Sequence, residues 1–273
     1  MSSPTPPEAP DDRRTAGTLT GGCLCGAVRY RVMGSFGRLS VCHCRQCQRF
    51  GGGPSSAAGT VPLARFVLTE DRGLRWYASS DHARRGFCRF CGSALFWAPI
   101  GEARICPSAG SLDDAPDLGP PHPCFLEDAA DYAAPEGPPP PPDPDPPPML
   151  EGGCLCGANR FRLHGPAGEA TACHCRQCAR VSGHYAVSFD ATGRLDWLKT
   201  DSLAHHVSPG GGMRSFCTRC GSPMTFARDG ETAVEAGALP ARTGGRLTRH
   251  IFTATQGRWH RLSDGLPQHP GEA

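Results

Sequence analysis

Apolar and polar residues alternate in short runs along this chain, as in Ala27-Val28-Arg29-Tyr30-Arg31-Val32 and Ala158-Asn159-Arg160-Phe161-Arg162-Leu163. A period of two sends successive side chains to opposite faces of an extended backbone, so each run predicts a half-buried strand. Arg65 to Leu68, Ala94 to Trp97, Met224 to Ala227, Thr232 to Glu235 and His250 to Thr253 extend the pattern. Glycine and proline interrupt it roughly every ten residues, and no long stretch holds a helical period. The expected fold is mainly β, with one short helical turn after Cys47 and another after Cys178.

The chain is also written twice. Cys23 and Cys25, then Cys42, Cys44 and Cys47, then Cys88 and Cys91 recur as Cys154 and Cys156, Cys173, Cys175 and Cys178, and Cys217 and Cys220, which uses fourteen of the sixteen cysteines. The copies align without gaps from Thr20 through the middle cluster at an offset of 131, and around the third cluster at 129. Leu74, Ser79, Arg85, Phe87 and Cys88 thereby meet Leu203, Ser208, Arg214, Phe216 and Cys217. A one-residue slip then brings His122 to His250 and Cys124 to Phe252, with Cys106 near Val234. Cys106 and Cys124 fall where the sister copy is apolar and read as buried thiols packing as small hydrophobes. In 273 residues the repeat predicts two tandem domains, 15–134 and 149–267, with tails 1–14 and 268–273 and a linker over 135–148.

Composition narrows the setting. The linker, Pro-Glu-Gly followed mostly by proline, favours polyproline II and predicts a semi-rigid spacer able to hold the domains up to about 40 Å apart. Both tails read as disordered. The first fourteen residues are polar and Pro-rich, without the apolar core of a signal peptide, and no apolar run is long enough for a membrane span. The expected address is the cytoplasm, where clustered thiols stay reduced. A net charge of +2 and 7% aromatic residues argue against a nucleic-acid partner. Arginine outnumbers lysine 27 to 1, so Lys199 is the one side-chain amine.

Seven cysteines per half divide into four plus three. Zinc takes thiolates in tetrahedral sets, closed in structural sites and open at one position in catalytic ones. The compact sequence Cys42-His43-Cys44-Arg45-Gln46-Cys47 can bring three thiolates around one ion with the fourth position free. The outer pairs can close a tetrahedron by joining distant parts of the fold, and binding there would be folding free energy. Disulfides fit poorly with Cys-x-Cys spacing in a reducing compartment, iron–sulfur clusters lack a ferredoxin spacing, and Cys88/Cys91 lacks the βαβ context of a redox dithiol. His43 and His174 adjoin two candidate ligands and suit a place beside the metal or facing a substrate. Arg45, Gln46, Arg176 and Gln177 could orient an anionic ligand or lie on the surface, and Arg85 and Arg214 are equally ambiguous. His122 and His250 read as hydrogen-bonded structural histidines.

Three segments carry a family likeness: Gly-Gly-Cys-Leu-Cys-Gly-Ala-Val-Arg-Tyr at 21–30, Cys-His-Cys-Arg-Gln-Cys at 42–47 and Arg-Gly-Phe-Cys-Arg-Phe-Cys-Gly-Ser at 85–93. They recur in the second half, followed by Glu235-Ala236-Gly237-Ala238-Leu239, His250-Ile251-Phe252 and Trp259. Together they resemble the glutathione-dependent formaldehyde-activating (GFA) family, which includes centromere protein V. The resemblance implies a zinc-binding β-tent fold in each half, with two zinc ions per domain and four per chain. It implies structural ligands at Cys23, Cys25, Cys88 and Cys91 and at Cys154, Cys156, Cys217 and Cys220. The substrate-facing, catalytic sets would be Cys42, Cys44 and Cys47 and Cys173, Cys175 and Cys178. The first half lacks the expected tryptophan between His122 and Tyr132.

The activity this resemblance implies is that of a carbon–sulfur lyase like S-(hydroxymethyl)glutathione synthase, with glutathione as co-substrate. A small-molecule thiol adds to formaldehyde or another small aldehyde at the open zinc position. The alternative is a non-catalytic zinc-binding thiol carrier or protein-interaction module. Phe50-Gly51-Gly52-Gly53-Pro54 and Val181-Ser182-Gly183-His184-Tyr185 differ most between the copies and would select the ligand.

Overall fold

The computed structural model describes residues 17–34, 36–141 and 143–272, so the predicted tail 1–14 lies outside the described residues. The fold is mainly β. The two α-helices among the described residues, α1 (Arg45–Gly51) and α2 (Arg176–Ser182), stand where the short turns were expected. Each ends at a left-handed glycine, Gly52 or Gly183, whose N–H closes the last turn on a carbonyl four residues back.

The halves share one strand path. Thr18–Gly22, Arg29–Met33 and Phe66–Glu70 form a small antiparallel sheet, as Met149–Gly153, Asn159–His164 and Leu195–Thr200 do in the second half. The main sheet of the second half has seven strands, in the order Leu203–Val207, Met213–Cys217, Pro223–Arg228, Glu231–Glu235, Ala186–Asp190, Glu169–Cys173 and Arg246–Ile251. In the first half the same path splits into a five-stranded and a three-stranded sheet, because the ladder Ser188–Asp190 makes with Ala233–Glu235 is interrupted there, leaving the bridge Ala58–Ser108 and, past Thr60, the pairs Val61–Ile105 and Pro62–Arg104.

The last strand of each half corrects the alignment made from the sequence. His122–Cys124 runs parallel to Leu39–Cys42 with Cys124 opposite Cys42, while Arg246–Ile251 runs parallel to Glu169–Cys173 with Ile251 opposite Cys173. Cys124 therefore corresponds to Ile251, not Phe252, and His122 corresponds to Arg249, not His250. Phe125 and Phe252 follow, both left-handed at φ 57°. A one-residue error is easily made here, since backbone register, invisible in residue types, decides it.

Seven residues on, this register sets Tyr132 against Trp259. Neither packs in its own half. Tyr132 is fully buried in the second core, edge-on to Phe189 at 5.5 Å, and its carbonyl accepts from the Leu247 N–H at 2.8 Å. Trp259 is buried in the first core with Leu95, Phe96 and Leu112. The tryptophan missing from the first half is thus represented by Tyr132, and each half sends its last aromatic anchor into the other.

The proline-rich stretch does not hold the halves apart. They meet through a reciprocal contact in which the Gly110 N–H donates to the Gly183 carbonyl at 2.9 Å and the Gly237 N–H donates to the Gly52 carbonyl at 2.8 Å. A Cβ on Gly110 would collide with the Ala179 carbonyl, and one on Gly237 with the Gln48 carbonyl, so only glycine lets the chains approach this closely. Arg45 donates to the Leu239 carbonyl at 2.6 Å and Arg176 to the Leu112 carbonyl at 2.8 Å, which places both arginines at the domain interface. Each contact has its mate across an approximate two-fold, as in an isologous dimer fused into one chain. The Asp113 carboxylate joins Arg29 of its own half to Arg180 of the other, the latter at 2.7 Å.

The C-terminal tail is not free either. His250 and Phe252 donate their N–H groups to the carbonyls of Pro267 and Gly271, and Arg228 pairs with Glu272 at 2.7 Å. Arg246–Ile251 is an edge strand, and the tail fills its unpaired hydrogen-bonding positions. Among the described residues no helix is long and apolar enough to cross a membrane.

Candidate metal centres and the pocket beside them

The fourteen repeated cysteines assemble into four groups. Cys23, Cys25, Cys88 and Cys91 have their sulfurs within 4.8 Å of one another, as do Cys154, Cys156, Cys217 and Cys220; Cys42, Cys44 and Cys47 form a third group, and Cys173, Cys175 and Cys178 a fourth. In each tetrad one pair comes from the turn after the first strand and the other from the turn after a later hairpin strand. Cys23 to Cys25, Cys25 to Cys88, Cys154 to Cys156 and Cys156 to Cys217 are all 3.6 Å apart. A tetrahedron with metal–sulfur bonds of about 2.3 Å has edges of about 3.8 Å, so these donor sets fit a zinc-sized ion. The Val28 and Asn159 N–H groups each donate to a cysteine sulfur at 3.2 Å. Ser93 and Ser222 each accept from the backbone between the first two cysteines at 3.0 Å and touch the last sulfur of their tetrad.

The three-cysteine groups sit at the starts of the helices, with Cys44 and Cys175 as N-caps. Hydrogen bonds from Cys42 and Cys47 hold the Cys44 thiol down to about 2, and those from Cys173 and Cys178 hold Cys175 down to about 2. The Cys42 thiol is pushed up by Cys124 and then by Cys44 and Cys47, and the Cys173 thiol by Cys175 and Cys178, since neighbouring thiols cannot all ionise without a cation between them. One ambiguity in the sequence resolves here. Arg85 and Arg214, both buried, donate to the sulfurs of Cys47 at 3.5 Å and Cys178 at 3.4 Å, so each triad has a guanidinium against it. Their signal was positional: an arginine three residues before the third cluster in both halves.

A cavity of about 860 Å³ opens beside the second triad, lined by Cys173, Cys175, Cys178, Arg214, Glu235 and Ile251 among others. Arg214 is held by Ser208 at 2.9 Å and lies 4.8 Å from the Phe226 ring centre. Glu235 is buried, its Oε2 has no hydrogen-bond partner, and burial raises its carboxyl to about 8 against the pull of Arg214. It is therefore largely protonated at neutral pH. Sequence reasoning placed Glu235 in a family-like segment without giving it a role. Its first-half counterpart in sheet register is Ser108.

His43 and His174 do not join the thiol groups, which contain only cysteines among the described residues. His174 Nε2 lies 2.9 Å from His250 Nδ1, and His250 Nε2 lies 2.8 Å from Asp264 Oδ2. His174, Tyr185 and His260 stack, with His184 edge-on to the last two. Burial lowers His174 to about 3 and His260 to about 4, so both rings are neutral. Ser55 reaches His184 across the interface at 3.2 Å, beside a cavity of about 490 Å³. His250 is thus hydrogen-bonded and buried, and His122 is hydrogen-bonded too, to Arg38 at 2.7 Å, but on the exposed surface. Gln46 accepts from Arg85 at 3.4 Å and Gln177 donates to the Pro209 carbonyl at 2.9 Å. Cys106 is buried against Thr60, as a packed thiol should be, but Cys124 is only half-buried.

A thiol tetrad and a thiol triad, repeated on two mainly β units, define a class of cysteine-rich domains whose donor sets could hold metal ions. The family model described as "Glutathione-dependent formaldehyde-activating enzyme" matches residues 18–128 and 149–255, and the chain belongs to that family. An uncharacterized lyase of Schizosaccharomyces pombe is 33% identical over 78 residues, 29% of this chain and 56% of the relative. A Halomonas elongata protein provisionally named a glutathione-dependent formaldehyde-activating enzyme is 32% identical over 87 residues, 28% of this chain and 54% of its own length. The chain thus spans about half the length of these curated relatives. A crystal structure of a Rhodobacter sphaeroides protein aligns with 34% of this chain and 87% of that one at 24% identity and a TM-score of 0.29.

Proposed function

We propose that this chain is a zinc-dependent carbon–sulfur lyase and synthase that joins glutathione, or a similar thiol, to formaldehyde or another small aldehyde. The cavity beside Cys173, Cys175 and Cys178 carries this reading, because a thiol triad borders a space large enough for a tripeptide. The names of the two curated relatives point the same way. The two tetrads hold structural zinc, both triads hold zinc as well, and the zinc of the second triad, beside the cavity, is the one that faces ligand. When bound there, zinc supplies a Lewis acid that lowers the pKa of an incoming thiol.

The surrounding residues do the rest. Arg214 offsets the negative charge of Cys178 and fixes its position. Arg176, Arg228 and Arg249 line the cavity among several carboxylates, a mixed-charge border suited to glutathione, which carries two carboxylates and an ammonium. The protonated Glu235 carboxyl is placed to act as general acid. As sulfur adds to the carbonyl carbon, the C=O π pair moves onto oxygen and takes the Glu235 proton. Glu235 regains a proton from solvent, which has received the one released by the thiol. The reverse sequence is the lyase direction.

The test is adduct formation, followed by NMR, from glutathione and formaldehyde with zinc-loaded protein. Formation above the spontaneous rate, lost in Cys175→Ser, supports the enzyme. Glutathione binding with no acceleration instead supports a thiol carrier.

A further inference from the structure

The two triads differ at one position on their open side. In the second half the residue opposite Cys173 on the parallel strand is Ile251, which lines the cavity together with all three thiols of that triad. In the first half the residue opposite Cys42 is Cys124. The strand path is the same and the following phenylalanine has the same φ of 57°, so Cys124 occupies the place from which Ile251 faces its triad. Cys124 is held there by backbone pairing, with its carbonyl accepting from the His43 N–H at 3.0 Å inside the Cys42–Cys47 segment. Its sulfur rests 3.7 Å from the Val41 carbonyl and is half-buried.

We propose that Cys124 is the fourth thiolate of the first domain's metal centre, closing Cys42, Cys44 and Cys47 into a four-cysteine site with no position left for substrate. This inference rests on the reading that the triads hold zinc. Structural zinc sites are closed and catalytic ones open, so one thiol exchanged for an alkyl group converts the first kind into the second. Turning the Cys124 sulfur toward the triad is a rotation about χ1 of a half-buried side chain, a small cost beside a zinc–thiolate bond. Arg85, donating to Cys47 at 3.5 Å, offsets part of the charge that a fourth thiolate adds. The first domain also has Ser108 where the second has Glu235, so it lacks both the open position and the acid. Cys124 stands outside the thiol group until that rotation is made, whereas Cys106 takes no part, since it faces Thr60 and is not on the strand beside Cys42.

The experiment is thiol alkylation of the full-length, zinc-loaded chain under reducing conditions, read cysteine by cysteine by peptide mass spectrometry, with and without a zinc chelator. Cys124 is expected to be protected in step with Cys42, Cys44 and Cys47 and to react when they do. Protection of that triad with Cys124 reacting equally fast in both states would overturn the proposal and leave the zinc reading standing. A reactive triad in the loaded protein would overturn the zinc reading for this domain and the proposal with it. A Cys42–Cys124 disulfide persisting under these conditions would also overturn it. As a second measurement, Cys124→Ala should weaken zinc at the first triad by about 100-fold or more, read as chelator concentration at loss of Cys42 protection. An unchanged affinity would contradict the proposal.

Discussion

The two halves share a strand path and fourteen cysteines, yet their three-cysteine groups stand in different surroundings. The second group borders a cavity with a protonated carboxyl, Glu235, and an alkyl side chain, Ile251, on its open side. Behind it runs the chain His174, His250, Asp264. The first group faces a fourth thiol, has serine in place of the glutamate, and has Pro123 where the second half has His250. Duplication leaves one copy free to keep the reaction while the other becomes scaffold, and the exchanged aromatic anchors keep that scaffold attached. In our account the second half does the chemistry and the first half stabilises it.

The largest effect should come from removing metal altogether. If the tetrads join hairpins in both halves, chelation unfolds the chain, and Cys88→Ala or Cys217→Ala should each cost several kcal/mol, more than about 3, because a buried site loses its ion. Circular dichroism with added chelator checks this, and retained β structure without zinc would show that the sheets stand without them. The exchanged anchors come next. Tyr132→Ala and Trp259→Ala should each cost about 3 to 5 kcal/mol. In hydrogen exchange the loss should show in the opposite half from the one that carries the mutation; loss confined to the same half would refute the exchange.

Asp113 carries a smaller effect. Hydrogen bonds from Arg29, together with Thr20 and Arg180, hold its carboxyl well below the usual carboxylate range. A depressed folded pKa means that its stabilisation is present above the unfolded value of about 4 and is lost as pH falls through the folded one. Asp113→Asn should cost about 1 to 3 kcal/mol at pH 7 and progressively less under acid. Equal losses at pH 7 and pH 2 would remove the ion pair from the account.

Glu235 acts on stability with the opposite sign. Its folded pKa of about 8 lies above the unfolded value of about 4.3, so the folded state holds the extra proton between them. Stability is then penalised as pH rises through that window. The Tm of Glu235→Gln relative to the parent should rise from pH 5 to pH 8, and a pH-independent difference would mean that Glu235 is already ionised.

Much of this was legible in the residues. Most period-two runs became strands, though His250 to Thr253 leaves its strand after Ile251; the short turns at the middle clusters became α1 and α2, and the cysteines grouped as their spacing and family likeness implied. The exchange of Tyr132 and Trp259 was not, because an apolar anchor near the end of a repeat looks the same whichever core receives it. The slip between His122 and His250 has a similar cause: the parallel strand at the sheet edge is short, and only its hydrogen bonds fix the register. Glu235 reads in sequence as one more polar residue ending a strand, and only burial in the cavity makes it an acid. The proline-rich stretch predicted distance between the halves, but the close glycine contacts and Asp113 override its stiffness.

The claim that chemistry belongs to the second half is tested most directly by comparing adduct formation from glutathione and formaldehyde in Cys175→Ser and Cys44→Ser, at matched folding by circular dichroism. The account predicts that Cys175→Ser loses at least about tenfold more turnover than Cys44→Ser, a difference of about 1.4 kcal/mol in the barrier. Equal losses, or a larger loss from Cys44→Ser, would contradict it.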